Sequence, residues 1–266
     1  MMFIPEPQPN GAFEWTQAPW GRILQCVPLL ALARHFFTTK DLTLRDRLDE
    51  WTAVAAWIGV AREDLLLISQ VHEANVAEVP ADRPRPWPRP NADAIIGNDP
   101  TAAIAVRVAD CVPILLAEES GRFVAAIHAG WRGMARRVAI AAVESMQSRY
   151  GVRPERIVAA VGPCIGPCCY EVGTDTKEAF RATGHHPALL ERWFVARPLG
   201  KFHLDLWQAT RDQLEGAGLH ATNIHVAELC TLTHSDRFHS YRADGARAGR
   251  MAAVIKGEGK REKGGR

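Results

Sequence analysis

Three apolar runs follow one another at the centre of the chain: Ala103–Val108, Val112–Ala117 and Phe123–Ile127. Each has the length and the β-branched or small-residue content of a buried strand. The third run leads into His128, after which Gly130 and Gly133 straddle Trp131 and Arg132. A helical pattern over Met134–Tyr150 follows, with Met134, Val138, Ala141, Ala142 and Ser145 on one face. A buried strand, a glycine turn and a helix start in immediate succession require a sheet covered by helices, and they display His128 at a strand end.

The flanks fit the same plan. Leu48, Trp51, Thr52, Ala55 and Ile58 recur at three- and four-residue steps, which predicts a helix over Arg45–Ile58 stopped by Gly59. Leu65–Val71 reads as a strand running into His72, Ile157–Val161 and Ile224–Ala227 as short strands, and Met251–Ile255 as the last one. Thr174–Arg181 has helical spacing, and so has His203–Gly216 after its first residues. Strands and helices alternate only roughly, so the expected class is α/β or α+β, a single domain over residues 21–255. Pro80, Pro84, Pro86, Pro88 and Pro90 mark a stiff excursion from that domain, because strand-like sequence resumes directly after them. Residues 1–20 are Pro-rich and are expected to form an irregular arm. The basic tail, 256–266 (KGEGKREKGGR), has almost no apolar residue and is expected to be disordered.

Composition narrows the function classes. The 266 residues are 47% hydrophobic and 23% charged, the profile of a globular protein, and a net charge of +2 gives no reason to expect a nucleic-acid or membrane partner. No run is long enough to span a membrane, and the N-terminus lacks a basic start followed by an apolar core, so a cytoplasmic location is expected. The cysteines at 26, 111, 164, 168, 169 and 230 are irregularly spaced, unlike a secreted disulfide framework.

His72, Cys111 and His128 share one context, each at or just past the end of an apolar run. Were those runs neighbouring strands of one sheet, their ends would bring two imidazoles and a thiol together, a ligand set that suits zinc with one position open. The spacing matches no compact zinc motif, and the same residues allow a metal-free reading with Cys111 as nucleophile and His128 as base. Asp110 is the adjacent candidate for an orienting carboxylate, although adjacency does not give triad geometry. The turn Gly130-Trp131-Arg132-Gly133 adds a candidate anion site, with Arg132 as a clamp for phosphate or carboxylate. Cys164, Cys168 and Cys169 suit either a soft metal or a tightly turned loop; the prolines and glycines around them favour the loop.

Five segments in register carry a family resemblance: Gln70-Val71-His72, Ala109-Asp110-Cys111-Val112-Pro113, Ala126–Gly133 (AIHAGWRG), GPCIGPCCYEVG at 162–173, and Ser240-Tyr241-Arg242 with Asp244-Gly245 and Gly249-Arg250-Met251-Ala252. Together they strongly resemble the YfiH/laccase-domain family, also called multicopper polyphenol oxidoreductases or purine nucleoside phosphorylases. The resemblance implies layered mixed sheets flanked by helices and a metal site at His72, Cys111 and His128, filled by zinc, with copper as the alternative. It further implies phosphorolysis of adenosine, inosine, guanosine and methylthioadenosine, with adenosine deamination; hydrolysis of peptidoglycan precursors and copper-dependent phenol oxidation are the other activities linked to the family. A trinuclear copper centre needs many histidines, and only two are placed convincingly here. Small-molecule substrates, a purine nucleoside and phosphate, are the expected partners, with Lys40, Arg132 and Arg242 as candidates for holding the anion or ribose. Glu73 after His72, Lys40-Asp41-Leu42, Ala243 and Ala248 depart from the family pattern.

Overall fold

The computed structural model describes residues 6–45, 47–80 and 82–259. Two six-stranded sheets lie face to face with helices on their outer sides. The first sheet runs in the spatial order Phe13–Ala18, Gly21–Cys26, Ala33–Thr38, Met251–Gly257, Ala103–Val108, Leu65–Leu67. The second runs Ile224–Val226, Ile157–Val161, Val112–Glu118, Val124–Ala129, Ala94–Gly97, Val76–Val79. Pairing is antiparallel except at Leu65–Leu67 with Ala103–Val108, Ile157–Val161 with Ile224–Val226, and Val76–Val79 with Ala94–Gly97. This single α/β domain agrees with the expected class.

Side-chain alternation assigns each strand residue to one of three apolar layers. Val112, Ile114 and Leu116, with Ala125, Ile127 and Ala129, face outward onto Val138, Ala142, Val143 and Met146 of the helix Val138–Tyr150. Leu115 and Ala117, with Val124 and Ala126, face the other way and meet Phe37, Ile104, Val106, Val108 and Ile255 of the first sheet. The outer face of the first sheet is covered by Trp51, Val54, Ala55 and Ile58 of the helix Leu48–Ile58. Central strands are therefore buried on both sides, which is why they read as unbroken apolar runs. His128 has the parity of Val124 and Ala126, so its side chain belongs to the layer between the sheets.

Several expectations change. Phe13–Ala18 is not part of an irregular arm; it forms a hairpin with Gly21–Cys26, and Trp15 stacks on Phe238. The strand expected over Leu65–Val71 is confined to Leu65–Leu67. Helix Leu48–Ile58 starts later than Arg45; Asp46 lies outside the described residues. The helix expected over Met134–Tyr150 is two, Trp131–Ala135 and Val138–Tyr150, separated at Arg136 and Arg137, where Arg137 takes φ of 62°. His203 lies in the strand Lys201–Leu204 of a small third sheet with Glu171–Val172 and Phe194–Arg197, and helix Leu206–Gly216 begins only after Asp205 caps it. At the other end, Lys256 and Gly257 extend the last strand opposite Arg34 and Ala33; residues 260–266 of the expected tail lie outside the described residues.

The proline-rich stretch is tied back to the domain. Buried Arg83 pairs with Asp64 and Asp99, and Trp87 Nε1–H donates to the Leu67 carbonyl at 2.8 Å. No helix among the described residues is long and apolar enough to cross a membrane.

One buried histidine gives the fold a pH signature. His35 is 1% exposed; its Nδ1 faces the Ala33 carbonyl at 3.1 Å, and its Nε2 accepts from the Cys26 N–H at 2.9 Å. Burial pulls the ring down to about 4 against a partial upward pull from the Ala33 carbonyl. From about pH 6.5 down to about 4 the unfolded chain therefore takes up a proton that the folded chain refuses. This contribution to stability is fully present above pH 6.5 and is lost as pH falls towards 4. Comparing urea midpoints at pH 7 and pH 4.5, His35→Gln should lose on the order of 2 kcal/mol less than the parent chain. Equal losses would assign the acid sensitivity to other groups.

Candidate metal centre and its cavity

The functional candidates converge at neighbouring strand ends, but in two sheets and not one: Leu65–Leu67 pairs in parallel with Ala103–Val108, and Val112–Glu118 pairs with Val124–Ala129. Leu65–Leu67 belongs to the first sheet and leads to His72, whereas Val124–Ala129, which carries His128, belongs to the second. Cys111 lies on the link from Ala103–Val108 to Val112–Glu118, where the chain passes from one sheet to the other. The cluster thus forms where the intersheet layer ends. The ligand atoms of His72, Cys111 and His128 all lie within 4.8 Å of one another. The two imidazoles meet edge to face, centroids 4.9 Å apart at 86°.

Asp93 sets this geometry. Its side chain is fully buried, and its carboxylate accepts from the backbone N–H groups of Val71 at 3.2 Å, His72 at 3.0 Å and Glu73 at 2.7 Å. His128 Nδ1 lies 2.7 Å from Asp93 Oδ1, which places the proton on Nδ1 and turns Nε2 towards Cys111. One carboxylate thereby fixes one imidazole directly and the backbone that carries the other. His72 itself sits at φ of 61°, an uncommon conformation for a non-glycine residue that these three N–H bonds help to hold.

The charges follow from the packing. Burial pushes the Cys111 thiol up, but the facing imidazoles of His128 and His72 more than reverse this and bring it to about 6. Burial likewise pulls His128 down, and Cys111 with Asp93 outweighs it, raising the ring to about 9. Asp93 is held below the ordinary carboxylate value: burial opposes its charge, and the hydrogen bonds from His128, Glu73 and His72 prevail. The two opposed shifts both favour the charged forms, thiolate at Cys111 and imidazolium at His128. Two imidazoles and a thiolate, with a carboxylate behind one imidazole, also form a donor set suited to zinc.

Gly130 allows the turn to pass this close. A Cβ there would lie 2.9 Å from His72 Cδ2 and 3.0 Å from Cys111 Sγ. The helix that follows is only Trp131–Ala135, so the turn does not open the long helix that the sequence suggested. Glu73, which departs from the family pattern, pairs with Arg136 at 2.9 Å on the surface.

The cluster opens into a cavity of about 820 Å³. Arg45, Arg107, Arg132, Arg242 and Arg250 line it, and Asp110 is its acidic lining residue. Trp131, Ile165, Tyr170 and Leu206 supply apolar surface. The Arg132 guanidinium lies 4.3 Å from the Trp131 ring centroid, and that of Arg242 lies 5.3 Å from Tyr170. Arg242 Nη2 donates to the Glu171 carbonyl at 3.0 Å.

Of the three cations proposed from sequence, Arg132 and Arg242 line the cavity and Lys40 does not. Lys40 is exposed and its ammonium donates to the Ser235 carbonyl at 2.7 Å. Nor does Asp110 orient the cluster. Its carboxylate accepts from Thr231, from Ser240 and from the Arg242 backbone N–H, so it ties together the loops around the cavity. Nothing in the sequence marks Arg45 or Arg107 for this place, and Arg250 stands out only as part of a motif. Asp93 left one trace: a carboxylate immediately before the apolar Ala94–Gly97. His35, His185 and His239 instead have backbone carbonyl partners at Ala33, Ala135 and Leu42.

The family model described as multi-copper polyphenol oxidoreductase laccase matches residues 47–258. The chain belongs to this family. Among its laccase-family relatives, a purine nucleoside phosphorylase from Deinococcus radiodurans is 40% identical over 238 residues, covering 83% of this chain and 88% of that protein. Adenosine deaminase RL5, from an unknown prokaryotic organism, is 36% identical over 216 residues, covering 78% and 80%. The crystal structure of the hypothetical protein YfiH from Bacillus licheniformis has a TM-score of 0.83 at 25% identity and covers 93% of this chain and 99% of that one. The family named by the sequence motifs is thus the family found, with the same layered fold.

Two substitutions probe the geometry. Asp93→Asn keeps the shape but loses the charge behind His128, and zinc affinity should fall about 10- to 100-fold in a competition titration. Gly130→Ala should weaken zinc binding as well, because its methyl group must displace His72 or Cys111. Unchanged affinity in both would separate these residues from the site.

Proposed function

We propose that the protein is a zinc-dependent purine nucleoside phosphorylase that also deaminates adenosine. The observation that carries this reading is the His72–Cys111–His128 cluster at the wall of a cavity lined by five arginines. The names of its relatives support the substrate class.

Zinc held by the three side chains would supply a Lewis acid at neutral pH. The remaining tasks fall to the chain itself. Arg132 and Arg242, with Arg45, Arg107 and Arg250 around them, offer guanidinium forks for a phosphate dianion. Trp131 and Tyr170 give flat apolar surface for a purine. In phosphorolysis a phosphate oxygen bonds to the ribose C1′ as the C1′–N9 bond breaks, releasing the base and ribose 1-phosphate. Arginine-held phosphate enters that displacement positioned and partly neutralised. In deamination water adds at the purine C6 and ammonia leaves.

Two alternatives have structural footing. Cys111, His128 and Asp93 are arranged as thiolate, imidazole and orienting carboxylate, which supports a metal-free hydrolase acting on nucleotide-linked peptidoglycan precursors. Two histidines and a cysteine also suit a mononuclear copper site, but no methionine among the described residues lines the cavity to complete the usual copper set.

Purified zinc-loaded protein should release free base from inosine only when phosphate is present, and ammonia from adenosine; a strong chelator should abolish both. Arg132→Ala and Arg242→Ala should each raise the KM for phosphate about 10-fold or more. Absence of base and ammonia release from zinc-replete protein would overturn the proposal. Chelator-resistant hydrolysis of muramyl amino acids would favour the thiol route.

A further inference from the structure

The segment 162–173 carries three thiols, only one of which has a simple packing role. Cys164 is buried, and its sulfur accepts from Trp207 Nε1–H at 3.1 Å. Cys168 and Cys169 turn the other way. Their sulfurs lie 3.3 Å apart, and with Cys230 Sγ they form a group whose atoms are all within 4.8 Å of one another. All three are free cysteines.

The surroundings favour a thiolate at Cys230, where hydrogen bonds outweigh burial, whereas burial pushes the Cys168 thiol up to about 12 and leaves its proton to be displaced by an ion. The Gly166 N–H points at Cys230 Sγ from 3.2 Å, and the Thr233 N–H does so from 3.5 Å. The Thr233 hydroxyl lies 3.5 Å from Cys168 Sγ and 3.3 Å from Cys169 Sγ. Gly166 permits this approach, since a Cβ there would meet Cys230 Cβ at 3.2 Å and Trp207 Cζ2 at 2.7 Å. An ion with metal–sulfur bonds of about 2.3 Å in a tetrahedral site needs sulfurs about 3.8 Å apart, within reach of this group. The donors are all sulfur, with no carboxylate in the group, which selects against magnesium and calcium.

We propose that Cys168, Cys169 and Cys230 form a second metal site, for a thiophilic closed-shell cation, Zn(II) or Cu(I). It is separate from His72, Cys111 and His128 and independent of the phosphorylase reading. Binding is ligand exchange without redox change: each coordinating thiol gives its proton to solvent as its sulfur bonds to the ion. The site joins two segments that shape the cavity. One carries Ile165 and Tyr170 into the cavity wall. The other carries Thr231, whose hydroxyl donates to Asp110 beside Cys111. An ion at this position clamps the wall to the loop behind the first site.

Metal content after loading reduced, metal-stripped protein with Zn(II), and in a separate anaerobic arm with Cu(I), tests the site. The parent chain should retain two ions after washing with a weak chelator. Cys111→Ala should retain one, and Cys168→Ser/Cys169→Ser should also retain one. Competition with chromophoric chelators in the Cys111→Ala protein decides which cation the second site prefers.

A second readout avoids altering the three thiols. In Cys111→Ala protein, bound metal should slow iodoacetamide labelling of Cys168 and Cys169 about 10-fold or more. Unchanged labelling, a second ion that the weak chelator removes, or retention equal to the parent by the double variant would overturn the proposal. A disulfide among the three thiols in protein kept under reductant would overturn it as well.

Discussion

The candidate site depends on one buried carboxylate. Asp93 has no solvent to share its charge with, so its environment must supply the donors, and it receives them from three successive backbone N–H groups and from His128. Burying a charge is tolerable only with compensation of this kind. The same bonds turn the chain at His72 and fix the tautomer of His128. Two elements from different sheets are thereby locked to a single atom group.

Around that lock, the sheets have a different role. Because the central strands are covered on both faces, parity alone decides whether a side chain packs against a helix or enters the intersheet layer. His128 enters that layer at its end, and the crossing at 109–111 brings Cys111 to the same place. Arginines from a strand, two short helices and the adjoining loops supply the positive wall. A donor set for a metal and a field suited to an anion thus sit side by side.

Parts of this arrangement were visible in the sequence because they are local. His72, Cys111 and His128 each stand out against an apolar run, and the strands 103–108 and 157–161 have the bounds that their composition suggested. Other parts depend on pairing. Asp93 becomes an orienting group because its strand pairs with that of His128, with Ala94 opposite Ile127. Arg45, Arg107 and Arg250 resemble solvated charges until both sheets are in place. Phe13–Ala18 lacks a strong strand signal and is defined by its partner Gly21–Cys26. The break at Arg137 was invisible because Met134, Val138 and Ala142 stay buried on both sides of it, so the apolar pattern continues through the turn. The placement of Lys40 away from the cavity lining is hidden for the opposite reason: its position in a motif says nothing of where its ammonium points.

The distance in sequence between the members of the cluster has a thermodynamic consequence. His72, Asp93, Cys111 and His128 meet only when both sheets have formed and closed on each other. An unfolded or half-assembled chain offers isolated ligands and no common centre. Any ion the cluster holds is therefore linked to the entire domain: occupancy reports completion of the fold, and the binding free energy resists global unfolding more than local fraying.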